Sequence, residues 1–261
     1  MTLMLDHIVI LVPELEATIA SYSALGFNVQ RGGTHTDGAT HNALVGFQDG
    51  SYLELIAFLR EAPAHRWWHY QARGWQGLVD FALLPHDTGA VIAAARARGV
   101  DYQGPFDGGR LRPDGVRLDW QTGIAPSVEM PFLCGDVTPR ALRVREGDVR
   151  VHPNGVTGVA ELNVVVDDLA AARARYEALL GLRAEALPAV PGLERVGLAL
   201  GGTTLVLARP TGAAGAPAWA GALAARGAQA AQFVLRSPTA TARTALPLAG
   251  TQGAPIEIVP G

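Results

Sequence analysis

A strand–helix–strand order that recurs four times constrains this chain more than any other feature. Residues 7–12 form a continuous run of strand length enriched in β-branched side chains. Residues 14–25 carry apolar positions at helical spacing and stop at Gly26. Strands follow at 27–30, 42–47 and 52–58, the last two joined by the turn 48–51, so the unit is β-α-β-β-β. The order returns with a strand at 78–84, a helix at 88–98 closed by Gly99, and strands at 101–103, 116–120 and 127–133. It returns again with a strand at 159–166, a helix at 169–180 ending at Gly181, and strands at 195–200 and 204–208. A shortened copy has a strand at 232–235, a helix at 239–246 and a strand at 256–259. The copies begin near residues 7, 80, 161 and 232, and such regularity marks units that bury their apolar faces against one another. The linker at 144–154 divides the chain into residues 1–147 and 155–261, with two units in each half.

Composition narrows the function. Hydrophobic residues make up 49% of the 261 residues, enough for a core, and the net charge of −3 leaves no basic stripe for nucleic acid. No apolar run approaches the ~20 residues of a membrane span, and the first residues lack the basic region of a signal peptide. The single cysteine, Cys134, has no internal partner and reads as a small buried hydrophobe. A soluble cytoplasmic protein is expected. All 21 basic residues are arginine, which excludes a Schiff-base lysine and a P-loop lysine. The glycine pairs fit no strand–GxGxxG–helix frame, so no nucleotide, PLP or haem is expected. The partner is a small molecule, with neither nucleic acid nor membrane.

Together with the repeat, the segments Leu5-Asp6-His7-Ile8-Val9, Thr40-His41-Asn42-Ala43-Leu44 and Tyr52-Leu53-Glu54-Leu55-Ile56 resemble the vicinal oxygen chelate superfamily. That superfamily includes glyoxalase I, bleomycin-resistance proteins and extradiol dioxygenases, and the last two segments look like its glyoxalase-like domain family. The resemblance implies an α+β fold: four βαβββ units paired into two half-open mixed-sheet cups with flanking helices. It also implies a divalent ion (Mn, Fe, Zn, Ni or Mg) held from the first and fourth strands of each unit, which places the ligands at His7, Glu54, Asp80 and Glu129. The corresponding C-terminal positions are Glu161, Val206, Gln232 and Glu257, a poor iron site. The chemistry implied is of lyase or isomerase type, with the metal as Lewis acid and Glu54 in acid–base work. The alternative is a metal-free protein that sequesters a small molecule, as bleomycin-resistance members do.

The residues carry part of this reading themselves. Glu54 shares a strand face with Tyr52 and Ile56, and a carboxylate inside an apolar strand is costly unless paired, hydrated or metal-bound. The plain alternatives are a hydrogen-bonded core histidine at His7 and an ion pair of Glu54 with Arg31 or Arg110. If Phe47 pairs with Tyr52, His41 lies at the rim on the face of Glu54, as an acid–base or substrate-binding group; otherwise residues 40–42 only start a strand. Asn42, Tyr52 and Trp120 are candidate substrate contacts. The aromatic stretch Trp67, Trp68, His69, Tyr70 and Trp75 is either a wall of the cup or a helix packed outside it or at a homodimer contact.

Overall fold

The computed structural model describes residues 3–261. Eight strands build the first half: β1 (Met4–Leu11), β2 (Gln30–His35), β3 (Thr40–Gly46), β4 (Tyr52–Phe58), β5 (Gly77–Leu84), β6 (Gln103–Leu111), β7 (Arg117–Ile124) and β8 (Phe132–Asp136). Helices α1 (Leu15–Ala24), α2 (Trp68–Gln71), α3 (Thr88–Ala97) and α4 (Arg140–Arg143) flank them. The Glu14 and Asp87 carboxylates accept backbone N–H bonds at the starts of α1 and α3, which satisfies donors that have no intrahelical partner.

The strand order β1-β4-β3-β2-β6-β7-β8-β5 closes into a barrel. The closing seam is short: β2 meets β6 only at Thr34–Leu111 and His35–Arg110. The two βαβββ units join where β1 runs antiparallel to β5, with His7 opposite Ala82 and Val9 opposite Asp80. That reciprocal pairing makes His7 and Asp80 equivalent positions of the two units. Strand β1 is buried on both faces, which is why it reads as an unbroken apolar run. Ile8 and Ile10 join the cluster containing Leu15 and Tyr22 of α1, while Val9 and Leu11 pack with Ile56, Val79 and Phe132.

The second half is an open sheet of seven strands: β9 (Gly158–Val165), β10 (Glu185–Ala186), β11 (Leu193–Leu200), β12 (Thr203–Pro210), β13 (Gln229–Ser237), β14 (Thr244–Ala245) and β15 (Ile256–Pro260). Helices α5 (Leu169–Leu180) and α6 (Ala222–Arg226) accompany it. The helix expected at 239–246 does not form; the segment turns and contributes only β14. Thr239, Thr241 and Thr244 are poor helix formers, and Pro247 disfavours helix at the residue before it. One apolar cluster runs through both halves, bringing Phe81 and Leu83 together with Leu162, Phe233 and Leu235. The Arg98 guanidinium reaches across to the last carbonyls of α5, at Ala178 and Leu179. No helix of the described residues is long and apolar enough to cross a membrane.

Candidate active site

The barrel encloses a cavity of about 290 Å³, at the small end of ligand pockets. Its polar centre is the Glu54 carboxylate on β4. Asn42 of β3 donates its side-chain N–H to Glu54 Oε1 at 2.6 Å. His7 Nε2 of β1 stands 3.5 Å from Oε2, and His35 Nε2 of β2 stands 3.6 Å from Oε1. One carboxylate thus faces two imidazoles, carried by β1 and β2, which β4 and β3 separate in the barrel.

The two imidazoles differ in proton affinity. Burial would lower the pKa of His7, but the hydrogen bonds and charges of Asp6 and Glu54 outweigh it and raise the value. His7 Nδ1 lies 2.7 Å from Asp6 Oδ2, so the ring is fixed from its far side. His35 has no such carboxylate behind it: its Nδ1 lies 2.7 Å from Thr40 Oγ1, and burial lowers its pKa despite the Glu54 charge. For Glu54, burial is overcome by His7, His35 and Asn42, which hold its carboxyl down to about 2. The carboxylate thus stands between a ring biased towards its protonated form, His7, and one biased towards its uncharged form, His35.

A buried ion network locks this arrangement. Asp6 has no solvent exposure and receives Arg143 Nη1 at 2.8 Å and Arg140 Nη1 at 2.6 Å. Arg143 also reaches Asp136 with Nε at 2.5 Å and donates to the Tyr52 hydroxyl at 2.8 Å. The Tyr52 ring stacks on His7 with centroids 4.6 Å apart. Cys134 lies beside Arg143, and burial pushes its thiol up.

The observed hairpin pairs Gly46 with Tyr52, and therefore Leu44 with Glu54 and His41 with Ala57. This is one residue out of the register that pairs Phe47 with Tyr52, and a one-residue slip exchanges the two faces of a strand. Asn42 and Leu44 line the cavity, while His41, one residue along β3 from Asn42, does not. Neither arginine proposed as a partner for Glu54 pairs with it: Arg31 pairs with Glu16, and Arg110 lines the cavity farther off.

The four positions expected to hold an ion are not brought together. Asp80 is buried, but Arg66 Nη2 lies 2.6 Å from its Oδ2 and Trp67 Nε1 donates to the same oxygen at 2.8 Å. Its other oxygen accepts the Phe81 N–H at 2.8 Å, and burial raises its pKa against these partners. Glu129 precedes β8, away from the cavity, and pairs at 2.5 Å with Arg175 of α5. Strand pairing explains the difference. Val9 pairs with Glu54 and Ala82 with Phe132, so the second-unit equivalent of Glu54 is Phe132, a residue with no donor atom. Among the described residues no three His, Cys, Asp or Glu side chains converge closely enough to hold an ion. The residues present do not fit a four-ligand divalent site.

Tyr52, Trp67, Trp120 and Phe132 give the cavity aromatic walls. Trp67 is thus a wall residue anchored on Asp80, while Trp68, His69 and Tyr70 lie in α2 and Trp75 follows it. Trp120 stands edge-on to His35 at 5.8 Å. His35, Asp6, Arg66 and Arg143 escaped sequence reading, and Arg110 was read only as a partner for Glu54. A buried arginine or aspartate has no local signature, because its partner lies in a distant strand. His35 had one usable signal, its place just before the turn that delivers Asn42.

The glyoxalase-like domain model matches residues 5–180, and the chain belongs to that family. A hypothetical protein from Staphylococcus aureus superposes with a TM-score of 0.77 at 14% identity, covering 99% of this chain and 100% of that one. A mutant 4-hydroxymandelate synthase from Streptomyces coelicolor superposes with a TM-score of 0.61 at 15% identity, over 90% of this chain and 72% of that one. A fusion of a xylose isomerase-like TIM barrel with a 4-hydroxyphenylpyruvate dioxygenase gives 0.54 at 16% identity, over 91% of this chain and 37% of that one. At these identities the likenesses show the fold. Nothing among curated proteins matches the chain.

Proposed function

We propose that the barrel cavity is the active site of an isomerase or lyase that moves a proton on a small substrate carrying adjacent oxygens. The observation that supports this is the pair of imidazoles flanking Glu54, one with its pKa raised and one lowered. Environments that drive two titratable groups apart in one cavity assign the acid and the base. His35 Nε2, uncharged and 3.6 Å from Glu54, takes the proton from a carbon next to a carbonyl. The electron pair moves onto the carbonyl oxygen, where the Nε2–H of His7 donates to it; return of a proton from His35 to the same carbon collapses the enolate and, on the opposite face, completes an epimerisation. Glu54 orients both rings and accepts from a substrate hydroxyl, while Asp6 raises the proton affinity of His7 and fixes its ring in the manner of a catalytic dyad.

The test is solvent exchange in D2O, followed by proton NMR, on small 2-hydroxy and 2-oxo carboxylates and their uncharged amides. Exchange above the buffer rate is expected, falling by ~10²-fold or more in His35→Ala and His7→Gln. The rival reading, sequestration without turnover, draws on the aromatic walls; saturable binding with no exchange in any substrate would select it. Elemental analysis of the same protein, with a His7→Ala, Glu54→Ala double variant beside it, tests the metal. A near-stoichiometric ion lost in the variant would reassign both residues as ligands.

A further inference from the structure

Almost every buried cation around the cavity has a carboxylate against it. His7 lies between Asp6 and Glu54, Arg66 on Asp80, and Arg140 and Arg143 on Asp6 and Asp136. Arg110 is the exception. Its side chain lines the cavity and the residue is 3% exposed. Its Nη1 and Nη2 donate to the backbone carbonyls of Gly32 and Arg143, and among the described residues no carboxylate oxygen lies within 4.0 Å of it. Two neutral carbonyls satisfy hydrogen bonds but do not cancel a charge, and a buried guanidinium without a counter-ion is strongly unfavourable. The carboxylates that line the same cavity are committed or wet: Glu54 is engaged by His7 and Asn42, while Asp37 and Asp107 are solvent-exposed, where water and salt screen them.

We propose that the cavity takes a small anion, a carboxylate on a flat apolar body, with Arg110 as its counter-charge. The body lies among Tyr52, Trp67, Trp120 and Phe132, whose rings offer faces and edges to a planar group. Arg110 supplies charge rather than acid–base chemistry, so it is a binding residue. This names the substrate class of the site described above, and rests on that reading only in taking the cavity as the place where the ligand binds.

The probes are benzoate and salicylate, with benzamide and salicylamide as their uncharged counterparts. Binding is followed by tryptophan fluorescence and calorimetry on the full chain. The acids are expected to saturate at least tenfold more tightly than the amides. Arg110→Gln is expected to erase that preference while leaving the weak binding of the amides unchanged, and Arg110→Lys to restore part of it. Equal affinity for acid and amide in the parent protein, no saturation by either acid, or a preference that survives Arg110→Gln would each overturn the proposal. The parent comparison needs no variant, so a misfolded Arg110→Gln protein does not remove the test. An acid preference that persists in His35→Ala protein lacking exchange activity would separate this inference from the proton-transfer reading. Exchange on amides without any acid preference would do the reverse.

Discussion

Replacing Glu54 by glutamine should change the acid stability of this protein by an amount that follows from its surroundings. The Glu54 carboxyl is held at about 2 in the native state against an ordinary 4.5. At 1.36 kcal/mol for each tenfold change in proton affinity, this contributes on the order of 3 kcal/mol at neutral pH. The sign follows from which state takes up the proton first. As pH falls below about 4.5 the unfolded carboxyl protonates while the folded one does not, so the stability is lost progressively towards pH 2. Glutamine titrates in neither state. The gap in unfolding free energy between parent and Glu54→Gln should therefore narrow by about 2 kcal/mol between roughly pH 5.5 and pH 3. His7, whose pKa is raised, is protonated across this window in the parent; the Glu54 charge also favours protonation of His35, whose pKa burial lowers, and this offsets part of the narrowing. Urea unfolding followed by tryptophan fluorescence at fixed ionic strength measures the gap directly. A gap that stays constant with pH would refute the claim that the two imidazoles and Asn42 hold Glu54 ionised.

Four further outcomes are expected. Arg66→Met leaves Asp80 buried without its cation and should cost about 3–5 kcal/mol near neutral pH. The Asp80 pKa, already raised by burial, rises further once Arg66 is gone, so the loss should shrink as the carboxyl is protonated at lower pH; chemical denaturation at two pH values checks both parts. A methyl group added at Gly32 would run into Asn42 Oδ1, so Gly32→Ala should lose about 1–3 kcal/mol and weaken benzoate binding. Gly89→Ala, inside α3 with its nearest neighbour 3.5 Å away, should leave the melting temperature unchanged or raise it. Glu129→Gln should leave cavity binding unaltered while modestly loosening the contact with α5, seen as a small drop in thermal stability with unchanged probe affinity.

The fold was legible because the repeat is written in periodicity, and periodicity survives without knowledge of partners. The copies beginning at His7, Asp80, Glu161 and Gln232 hold equivalent places in the strand pairings, since His7 faces Ala82 as Asp80 faces Val9, and Gln232 faces Asn163. The convergence of His7, Asn42, Tyr52, Glu54 and Trp120 was legible for a related reason: polar residues inside apolar strands are expensive and have to face something. Register was not legible. Residues 42–58 look alike whether Phe47 or Gly46 faces Tyr52, and only the observed turn, in which the Phe47 N–H donates to the Ser51 carbonyl, decides between them. That single step removed His41 from the cavity. Glu129 failed differently. Residues 127–130 have strand-like composition, but β8 begins only after Pro131, whose carbonyl is held by the Tyr102 hydroxyl at 2.6 Å, and the equivalent of Glu54 falls on Phe132.

The same correspondence explains why the second half has no matching charge centre. There the place of Glu54 is taken by Val206, which packs with Leu193, Ala208 and Ala220 beneath Trp219. With no carboxylate at the centre, there is nothing for a counter-histidine to hold, and the place of His7 is occupied by Glu161, which accepts a hydrogen bond from Asn163 at 2.8 Å. Asn163 bonds in turn to Gln232, the counterpart of Asp80, at 3.1 Å, so uncharged amides stand where the first half keeps the Arg66–Asp80 pair. A buried charge persists only while its partners do, because losing one partner costs more than losing the whole set. In the first half Asp6, Arg143, His7, Glu54 and Asn42 form one chain of such dependencies. Single substitutions within that chain should therefore couple strongly, and Asp6→Asn with Glu54→Gln should destabilise by less than the sum of the two alone.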